Sequence, residues 1–448
     1  MTLANYDDTL NYIFGLKGSG IHLGLENTAR LLRHFGDPQL KVPTVHIAGT
    51  NGKGSTAAFI ESILRHAGHR VGLFTTPHLA DFRERVQLNR TLIPQTALID
   101  LSERIREAGR RLDTPLTYFE FGVVLAFLYF HEAGASWNVI EVGLGGRLDA
   151  TNLVRPEVAL IPSIGLDHGD YLGFDVAGIA REKSFIIKEN GTVFAHVEDT
   201  GAFTEIARRA REVQARLFRF GADFDAARVY ATPEGQCMDF RCGETQLKGL
   251  ETALIGTHQV TNAALACAAA LWLGGRHPEI NEAAIRTGLK TARWPGRLEV
   301  VSSQPWLVLD AAHNPDGVRK LTQAVREIFT FDRLILVAGI MKDKPVDTML
   351  EALLPLAGHI LFTRPDQERA ESPDRLANRL RQQPGASTRP VETVAAVGQA
   401  VARARELARS SDLILVTGSI FTVAEARQSL IHDTTAHSHP FDRSRPRG

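Results

Sequence analysis

The stretch GTNGKGS, residues 49–55, combines the residue types of a phosphate-binding loop. Its glycines allow backbone N–H groups to approach ligand oxygen atoms, and Lys53 adds a full positive charge. The stretch departs from the standard P-loop pattern, because the gap before the Gly-Lys pair is too short and a glycine separates Lys53 from Ser55. It follows an apolar segment and opens a helical pattern, which favours nucleotide binding over the alternative, a strand-to-helix turn that merely needs glycine.

Acidic residues follow two further apolar segments. Glu141 opens EVGLGGRLDATN, and a lone carboxylate near the end of an apolar strand is costly unless it is paired or bound to a metal. The next segment leads into GLDHGDYLG, which supplies three candidate Mg²⁺ ligands, Asp167, His168 and Asp170. The alternatives are a structural salt bridge between Arg147 and a carboxylate, and an ordinary Asp-His loop.

Two more candidate positions have equally plausible structural roles. Lys183, in REKSFIIK, is predicted to lie on a helix, where an amphipathic surface lysine is the alternative. The segment LDAAHNPDG places Asp310 and His313 at a strand end. In that segment Asn314 can cap a helix that Pro315 begins, and both readings can hold at once.

Apolar β-branched segments alternate with helical patterns along most of the chain, which predicts an α/β fold with helices on both faces of a mostly parallel sheet. The predicted strands of the first part are 42–49, 70–76, 138–146, 157–165 and 191–197. The predicted helices are 55–68, 121–134 and 259–274, with an antiparallel excursion over 220–256. Later strands are predicted at 306–314, 333–340, 359–363 and 412–420.

The segment TARWPGR, residues 291–297, brings Trp, Pro and Gly together and indicates a domain boundary. We therefore predict an N-terminal P-loop-type domain over residues 1–296 with a mostly parallel sheet. A smaller, Rossmann-like α/β domain follows over 297–432. The polar, Pro-containing segment 433–448 is predicted to be a flexible tail.

Composition excludes several classes of protein. The 448 residues carry 51 basic and 51 acidic side chains, so no basic surface argues for nucleic acid. The three cysteines fit neither a disulfide framework nor a zinc pattern, and we expect reduced, buried or half-buried thiols. The first residues lack a secretory pattern and no apolar run reaches transmembrane length, so we expect a cytoplasmic protein without membrane partners.

Taken together, the motifs resemble those of the folylpolyglutamate synthases, a family of the Mur ligase superfamily that includes bacterial dihydrofolate synthases. The resemblance covers roughly residues 20 to 425 and rests on GTNGKGS, TTPHL (75–79), TYFE (117–120), EVGLGGRLDATN, the Asp-His pair at 167–168, REK (181–183), WPGRLE (294–299), DAAHNP (310–315) and GIMKDKP (339–345). It implies an ATP-dependent amide ligase. ATP would phosphorylate a carboxylate of dihydropteroate or of a folate glutamate, and the amine of L-glutamate would displace the phosphate. A monomer is implied as well.

The resemblance also implies roles for individual residues. ATP would be held by Gly52, Lys53, Gly54, Ser55, Asn262, Arg297, Asp310 and His313. Two Mg²⁺ sites would use Thr76 (where the family usually has Ser), Glu141, His168 and Lys183. Lys183 matches a lysine that carries a carbamate in the family, which would turn an ammonium into an oxygen ligand. The catalytic set would be Lys53, His168 and Lys183.

The acceptor pocket implied by the resemblance is lined by Gly24, Leu25, Glu26, Thr117, Tyr118, Phe119, Glu120, Leu148, Asp149 and Ala150. The chain departs from the family after Lys183, where Ser184 and Phe185 replace the usual Ala and Gly.

Two alternatives have other functions: a Mur-type ligase acting on a cell-wall precursor, and a nucleotide-binding regulator without ligase turnover. TYFE and DAAHNPDG argue against the first, and the intact Lys53, Glu141, His168 and Lys183 argue against the second.

Overall fold

The computed structural model describes residues 3–20, 24–167, 173, 175–383 and 389–436. These form two compact units, one from residues up to 231 together with 235–294, and one from 232–234 together with residues from 295 onwards. Both units are α/β, which confirms the predicted fold class.

The first unit contains two sheets and nine labelled helices within the described residues. Its helices are α1 (Tyr6–Gly15), α2 (Glu26–His34), α3 (Lys53–His66), α4 (Gln95–Arg111), α5 (Tyr118–Glu132), α6 (Val176–Ser184), α7 (Thr200–Glu212), α8 (Thr257–Gly274) and α9 (Glu282–Thr291). Its strands are β1 (Thr44–Ile47), β2 (Val71–Phe74), β3 (Val86–Leu88), β4 (Thr91–Leu92), β5 (Trp137–Glu141), β6 (Val158–Ile161), β7 (Thr192–Ala195), β8 (Arg216–Arg219), β9 (Phe224–Thr232), β10 (Gly235–Cys242) and β11 (Thr245–Thr252).

The large sheet has the strand order β4-β3-β2-β5-β1-β6-β7-β8. The six strands from β2 to β8 are parallel, and β3 and β4 add an antiparallel hairpin at one edge. Ile47 at the end of β1 pairs with Glu141 of β5 and with Leu160 of β6. The carboxyl ends of these three central strands are therefore level, so the loops that follow them meet at one edge, where ligands bind in such sheets.

Helix α3 lies at the centre of this unit, and ten of its fourteen residues are buried. Phe59, Ile60 and Ile63 pack with strand residues and with α8 in one hydrophobic core. A helix that is buried on nearly all sides holds its first turn in a fixed place relative to the sheet. The predicted antiparallel excursion is confirmed as the three-stranded sheet β11-β10-β9. Cys237 and Cys267 are buried free thiols and Cys242 is a half-buried one, as expected.

The second unit contains one six-stranded sheet, in the order β12-β13-β17-β14-β15-β16. Strand β12 is antiparallel to β13 and the remaining pairs are parallel. Its strands are β12 (Glu299–Ser303), β13 (Trp306–Leu309), β14 (Leu334–Ala338), β15 (Ala357–Arg364), β16 (Val391–Ala396) and β17 (Leu413–Thr417). Its helices are α10 (Pro315–Ile328), α11 (Val346–Leu353), α12 (Pro373–Arg381), α13 (Val397–Leu407) and α14 (Ile420–Ala436).

The predicted strands are present, but most are shorter than predicted because their last residues belong to the turns that follow. Helix α14 extends to Ala436, four residues into the segment 433–448 that was predicted as a tail, and residues 437–448 lie outside the described part of the chain. Within the described residues, no helix has the length and apolar character needed to cross a membrane.

Candidate active site

The loop between β1 and α3 is held in place by the segment after β6. The N–H groups of Thr50 and Asn51 donate to the carbonyl and hydroxyl oxygens of Ser163, each at 2.9 Å. The Thr50 hydroxyl also donates to the carbonyl of Gly165 at 2.9 Å. Gly52 precedes α3 with φ of 85°, a conformation that favours glycine, and offers no side chain to cap the helix. The positive N-terminus of α3 is therefore presented by a rigid loop, as an anion site requires.

Two lysines meet at one carbonyl oxygen of this loop. Lys53 Nζ donates to the carbonyl of Gly49 at 3.0 Å, and Lys183 Nζ donates to the same oxygen at 3.1 Å. Lys183 is only 5% exposed, so its alternative interpretation as a surface lysine is wrong. Burial, and then the charge of Lys53, lower the pKa of Lys183 to about 7. Two positive charges this close favour the binding of an anion, or the neutral form of Lys183.

Lys183 reaches the loop because the glycine-rich turn after β5 packs tightly against the end of α6. A Cβ at Gly146 would lie 2.7 Å from the carbonyl oxygen of Glu182 and 3.0 Å from Cα of Lys183. Arg147 Nε donates to both carboxylate oxygens of Glu182 at 3.1 Å. The structural interpretation of Arg147, a salt bridge, is therefore confirmed.

Phe185 lies just beyond the last residue of α6 and is half-buried. Its ring centre is 5.7 Å from the guanidinium of Arg147 and 4.7 Å from that of Arg209. These are cation–π distances. The phenyl ring thus packs with two arginines, while the neighbouring Lys183 points to the carbonyl of Gly49.

Thr76 and Glu141, the predicted metal ligands after β2 and β5, are adjacent. The N–H of Thr76 donates to Oε2 of Glu141 at 3.1 Å, and Glu141 is 4% exposed. Mg²⁺ commonly takes one or two carboxylates together with phosphate and water oxygens, so this hydroxyl and this carboxylate fit the ion. The third predicted ligand, His168, lies outside the described residues.

Arg85 is a further candidate site residue, which the sequence does not predict. Its Nη1 donates to the hydroxyl of Thr76 at 2.9 Å, and its guanidinium lies 5.0 Å from the ring centre of Tyr118. Burial lowers the pKa of Arg85, and the nearby Tyr118 and Glu141 oppose this effect. Arg85 therefore places a positive charge between the predicted metal ligands and the predicted acceptor pocket. No local pattern around residue 85 indicates this, because the contacts come from other strands and helices.

The predicted ATP ligands Ser55 and Asn262 are joined through Gln259, a second residue that was missed. Gln259 Nε2 donates to the Ser55 hydroxyl at 3.2 Å, and Asn262 Nδ2 donates to Oε1 of Gln259 at 3.0 Å. A Cβ at Gly52 would clash with the side-chain amide of Asn262. Helix α8 thus supports the loop through one face, and the three-residue spacing of Gln259 and Asn262 was the available signal.

The predicted acceptor residues 117–120 form the start of α5. Thr117 and Glu120 make a capping box, in which the Thr117 hydroxyl accepts from the N–H of Glu120 and the carboxylate of Glu120 accepts from the N–H of Thr117. Both side chains therefore stabilise the helix start. Tyr118 and Phe119 between them are half-buried, and the Tyr118 hydroxyl has no hydrogen-bond partner within the described chain.

The other predicted acceptor residues lie on two loops. Asp149 is buried and accepts from the N–H groups of Gly143 and Leu144 at 3.0 and 2.8 Å, so it shapes the turn after β5. Burial raises the pKa of Asp149. Its neighbours Leu148 and Ala150 are half-buried and buried respectively. At the start of α2, Gly24 is buried, Leu25 is half-buried and Glu26 is exposed.

In the second unit, three predicted ATP contacts cluster around the turn after β13. Asp310 is buried and accepts from the N–H groups of Leu298 and Ala312, each at 2.9 Å. Burial raises the pKa of Asp310 and the charge of Arg297 opposes it. His313 lies on the same turn, with Nδ1 2.9 Å from the carbonyl oxygen of Ala311.

Two family models match the chain: the Mur ligase middle domain over residues 47–270 and the Mur ligase glutamate ligase domain over residues 296–420. Fold and site thus define the class as that of the Mur ligases. A Bacillus subtilis protein named dihydrofolate synthase/folylpolyglutamate synthase is 35% identical, over 95% of this chain and 99% of that protein. The chain therefore belongs to the dihydrofolate synthase/folylpolyglutamate synthase family, which confirms the resemblance found in its motifs.

Other similar proteins extend this comparison. A Halobacterium salinarum protein named probable bifunctional folylpolyglutamate synthase/dihydropteroate synthase is 39% identical over 94% of this chain, which spans about half, 51%, of that relative's length. Escherichia coli FolC in complex with DHPP and ADP has 32% identity and a TM-score of 0.86, covering 97% of this chain and 99% of that one. A bifunctional folylpolyglutamate synthase/dihydrofolate synthase with Mn, AMPPNP and L-glutamate bound has 32% identity and a TM-score of 0.83, covering 98% and 99%.

Proposed function

We propose that this protein is an ATP-dependent amide ligase that adds L-glutamate to dihydropteroate and to folate glutamates. The acceptor carboxylate would attack the γ-phosphorus of ATP, releasing ADP and forming an acyl phosphate. The amine of L-glutamate would then attack the acyl carbon, so that an amide bond forms, phosphate leaves and the amine loses a proton. Relatives with these names, and solved relatives with ADP or with AMPPNP and L-glutamate, support this reaction.

The observation that carries the proposal is the meeting of Lys53 and Lys183 at the carbonyl of Gly49, beside the first turn of α3. A phosphoryl group in transfer gathers negative charge on its oxygens, and fixed positive groups stabilise that charge. We assign the ATP phosphates to Gly52, Lys53, Gly54 and Ser55, with Asn262, Arg297, Asp310 and His313 as further ATP contacts.

We further assign two Mg²⁺ sites to Thr76, Glu141, His168 and Lys183. Bound Mg²⁺ would neutralise the phosphate oxygens and orient them. An ammonium cannot ligate a cation, so Lys183 would serve only as a carbamate, formed when its neutral amine attacks CO₂ and releases a proton. The lowered pKa of Lys183 supports this step, because about half of its amine is neutral near pH 7.

For the acceptor we assign the pocket formed by Gly24, Leu25, Glu26, Thr117, Tyr118, Phe119, Glu120, Leu148, Asp149 and Ala150. The half-buried rings of Tyr118 and Phe119 support an aromatic ligand there. Because Thr117, Glu120 and Asp149 hydrogen-bond to backbone groups, they would act mainly by shaping this pocket. A cytoplasmic monomer stays a prediction.

The test is ADP release with ATP, Mg²⁺ and L-glutamate present, comparing dihydropteroate with tetrahydrofolate as acceptor and identifying the products by mass. Turnover on both acceptors is the expected result. Turnover on one alone would restrict the enzyme to that step. A well-folded sample that binds ATP but releases no ADP with either acceptor would contradict the proposal and favour a cell-wall ligase or a regulator.

A further inference from the structure

Arg85, the residue before β3, is a buried cation without a carboxylate partner. Its side chain is 8% exposed, and within the described residues it forms no ion pair. Its Nε donates to Nδ1 of His78, and its Nη1 donates to the hydroxyl of Thr76, each at 2.9 Å. Arginine is rarely this buried unless an anion pairs with it. Arg85 therefore carries a charge that a bound anion would neutralise.

The carboxylates nearest to Arg85 are engaged with backbone groups. Glu84 accepts from three backbone N–H groups at 2.7 to 3.0 Å, and Glu141 accepts from the N–H of Thr76 at 3.1 Å. The second terminal nitrogen of Arg85, Nη2, makes no hydrogen bond in the described part of the chain and retains accessible surface. Nη2 is therefore a donor that a ligand can reach.

A second cation, Lys17, lies near the same aromatic ring. Its Nζ is 5.3 Å from the ring centre of Tyr118, and the guanidinium carbon of Arg85 is 5.0 Å from that centre. Lys17 is exposed, and among the described residues it has no carboxylate partner either. Partial burial, and then the charge of Arg85, lower the pKa of Lys17. Two positive charges thus act on each other at one wall of the proposed acceptor pocket.

The two acceptors proposed for the ligase differ in their carboxylates. Dihydropteroate carries one carboxylate, on its benzoyl group. A folate with one glutamate carries two, the terminal one that reacts and an α-carboxylate, and only three carbon atoms separate them. Two cations beside a single ring match a ligand with two carboxylates so close together.

We propose that Arg85 binds the reacting carboxylate of either acceptor and that Lys17 binds the α-carboxylate that only folate glutamates carry. This inference rests on the proposed ligase function and names the residue that distinguishes its two acceptors. Arg85 suits the reacting carboxylate because its Nη1 donates to Thr76, a proposed Mg²⁺ ligand, and the reacting carboxylate must lie beside the phosphate and the metal. Lys17 would therefore determine how well the enzyme extends folates.

The structural alternative is that both cations only stabilise the ring of Tyr118 through cation–π contacts. The loss of Lys17 would then affect both acceptors alike, because neither acceptor would touch its ammonium. The two explanations are separated by comparing ligands that differ only in the α-carboxylate-bearing glutamate.

The test is calorimetric titration of the full chain with dihydropteroate and with dihydrofolate, in the presence of Mg²⁺ and AMPPNP. Lys17→Met should raise Kd for dihydrofolate at least tenfold and leave Kd for dihydropteroate within twofold of wild type. Lys17→Arg keeps the charge and should bind dihydrofolate nearly as well as wild type does. Arg85→Met should raise Kd for both ligands at least tenfold.

Thermal unfolding checks that each variant folds. Because Lys17 is exposed, its variants should fold and decide the proposal even if Arg85→Met does not. Lys248→Met, which removes an exposed lysine from β11, is the control and should leave both Kd values unchanged. An unchanged Kd of Lys17→Met for dihydrofolate, or an equal loss for both ligands, would overturn the proposal and leave the ligase assignment intact. A wild type that binds neither ligand would overturn both.

Discussion

Two strand-to-helix turns of this molecule serve opposite purposes, although both follow a parallel strand and both carry predicted ATP contacts. The turn from β13 to α10 satisfies its own polar groups. The carboxylate of Asp310 accepts from two backbone N–H groups, and the side chain of Asn314 accepts from the N–H of Gly317 at 2.8 Å. Pro315 occupies the first helical position, as predicted.

The turn from β1 to α3 leaves its helix start without a side-chain cap. Its last residue before the helix is Gly52, which cannot cap α3, and the lysines 53 and 183 share one carbonyl oxygen. Excess positive charge at an uncapped helix start is a cost in the protein alone and an advantage when an anion binds. The comparison shows that two similar turns differ in whether a side chain of the turn caps the helix that follows.

Replacing Lys53 should have the largest effect on activity. Lys53→Ala removes the charge that would face the transferred phosphoryl group, so we expect kcat to fall by about 10³-fold. The free energy of unfolding should change by less than about 1 kcal/mol, because only the hydrogen bonds of Lys53 to loop carbonyls are lost. ADP release and urea unfolding measure the two quantities. The exposed Lys41→Ala, just before β1, is the control, and a Lys53→Ala enzyme of normal rate would show that the phosphate loop is wrongly assigned.

Lys183 should make stability depend on pH. Its folded pKa of about 7 lies below the unfolded value near 10.5, so between these values the unfolded chain binds more protons and stability rises with pH. Relative to Lys183→Met, wild type should gain roughly 3 kcal/mol between pH 6 and pH 9 in CO₂-free buffer. Urea unfolding at the two pH values measures this.

The control for that experiment is Lys188→Met. Lys188 donates to both the backbone and side-chain oxygens of Asn152, and burial lowers its pKa only to about 8. Its removal should therefore give a smaller pH dependence and a net loss of stability. Equal pH dependence of wild type and Lys183→Met would mean that Lys183 titrates normally, and would remove the basis for a carbamate.

Gly52→Ala should lower stability and kcat by more than the backbone conformation of residue 52 alone would explain. Alanine at φ of 85° costs about 1–2 kcal/mol, and here its Cβ would also clash with the amide of Asn262. We expect a tenfold or greater loss of kcat. Gly68→Ala is a matched control, because Gly68 has φ of 91° with nothing within 4 Å of the added Cβ. If both variants lose the same stability and neither loses activity, the contact with Asn262 is unimportant.

The sequence was sufficient for the architecture and for the positions of the motifs. The strand end at Glu141 and the loop at Lys53 were recognisable, because the apolar segment before each of them stops abruptly at a glycine or an acidic residue. Arg85 was not recognised, because its contacts come from distant elements, and Gln259 was marked only by its three-residue spacing from Asn262. Burial of Lys183 was equally hidden, since a helical lysine looks the same whether its helix end faces solvent or, as here, packs against the turn at Gly146.

The smallest effect is expected at Asn314, and it completes the comparison of the two turns. Asn314→Ala removes the cap of α10 and should cost about 1 kcal/mol of stability. Because the Asn314 side chain already accepts a hydrogen bond from the N–H of Gly317, kcat should change less than threefold. Urea unfolding measures the stability and ADP release measures kcat. Asn314→Ser, which keeps a cap, is the control. A large loss of kcat without a loss of stability would show that the second turn, like the first, holds its polar groups for a ligand.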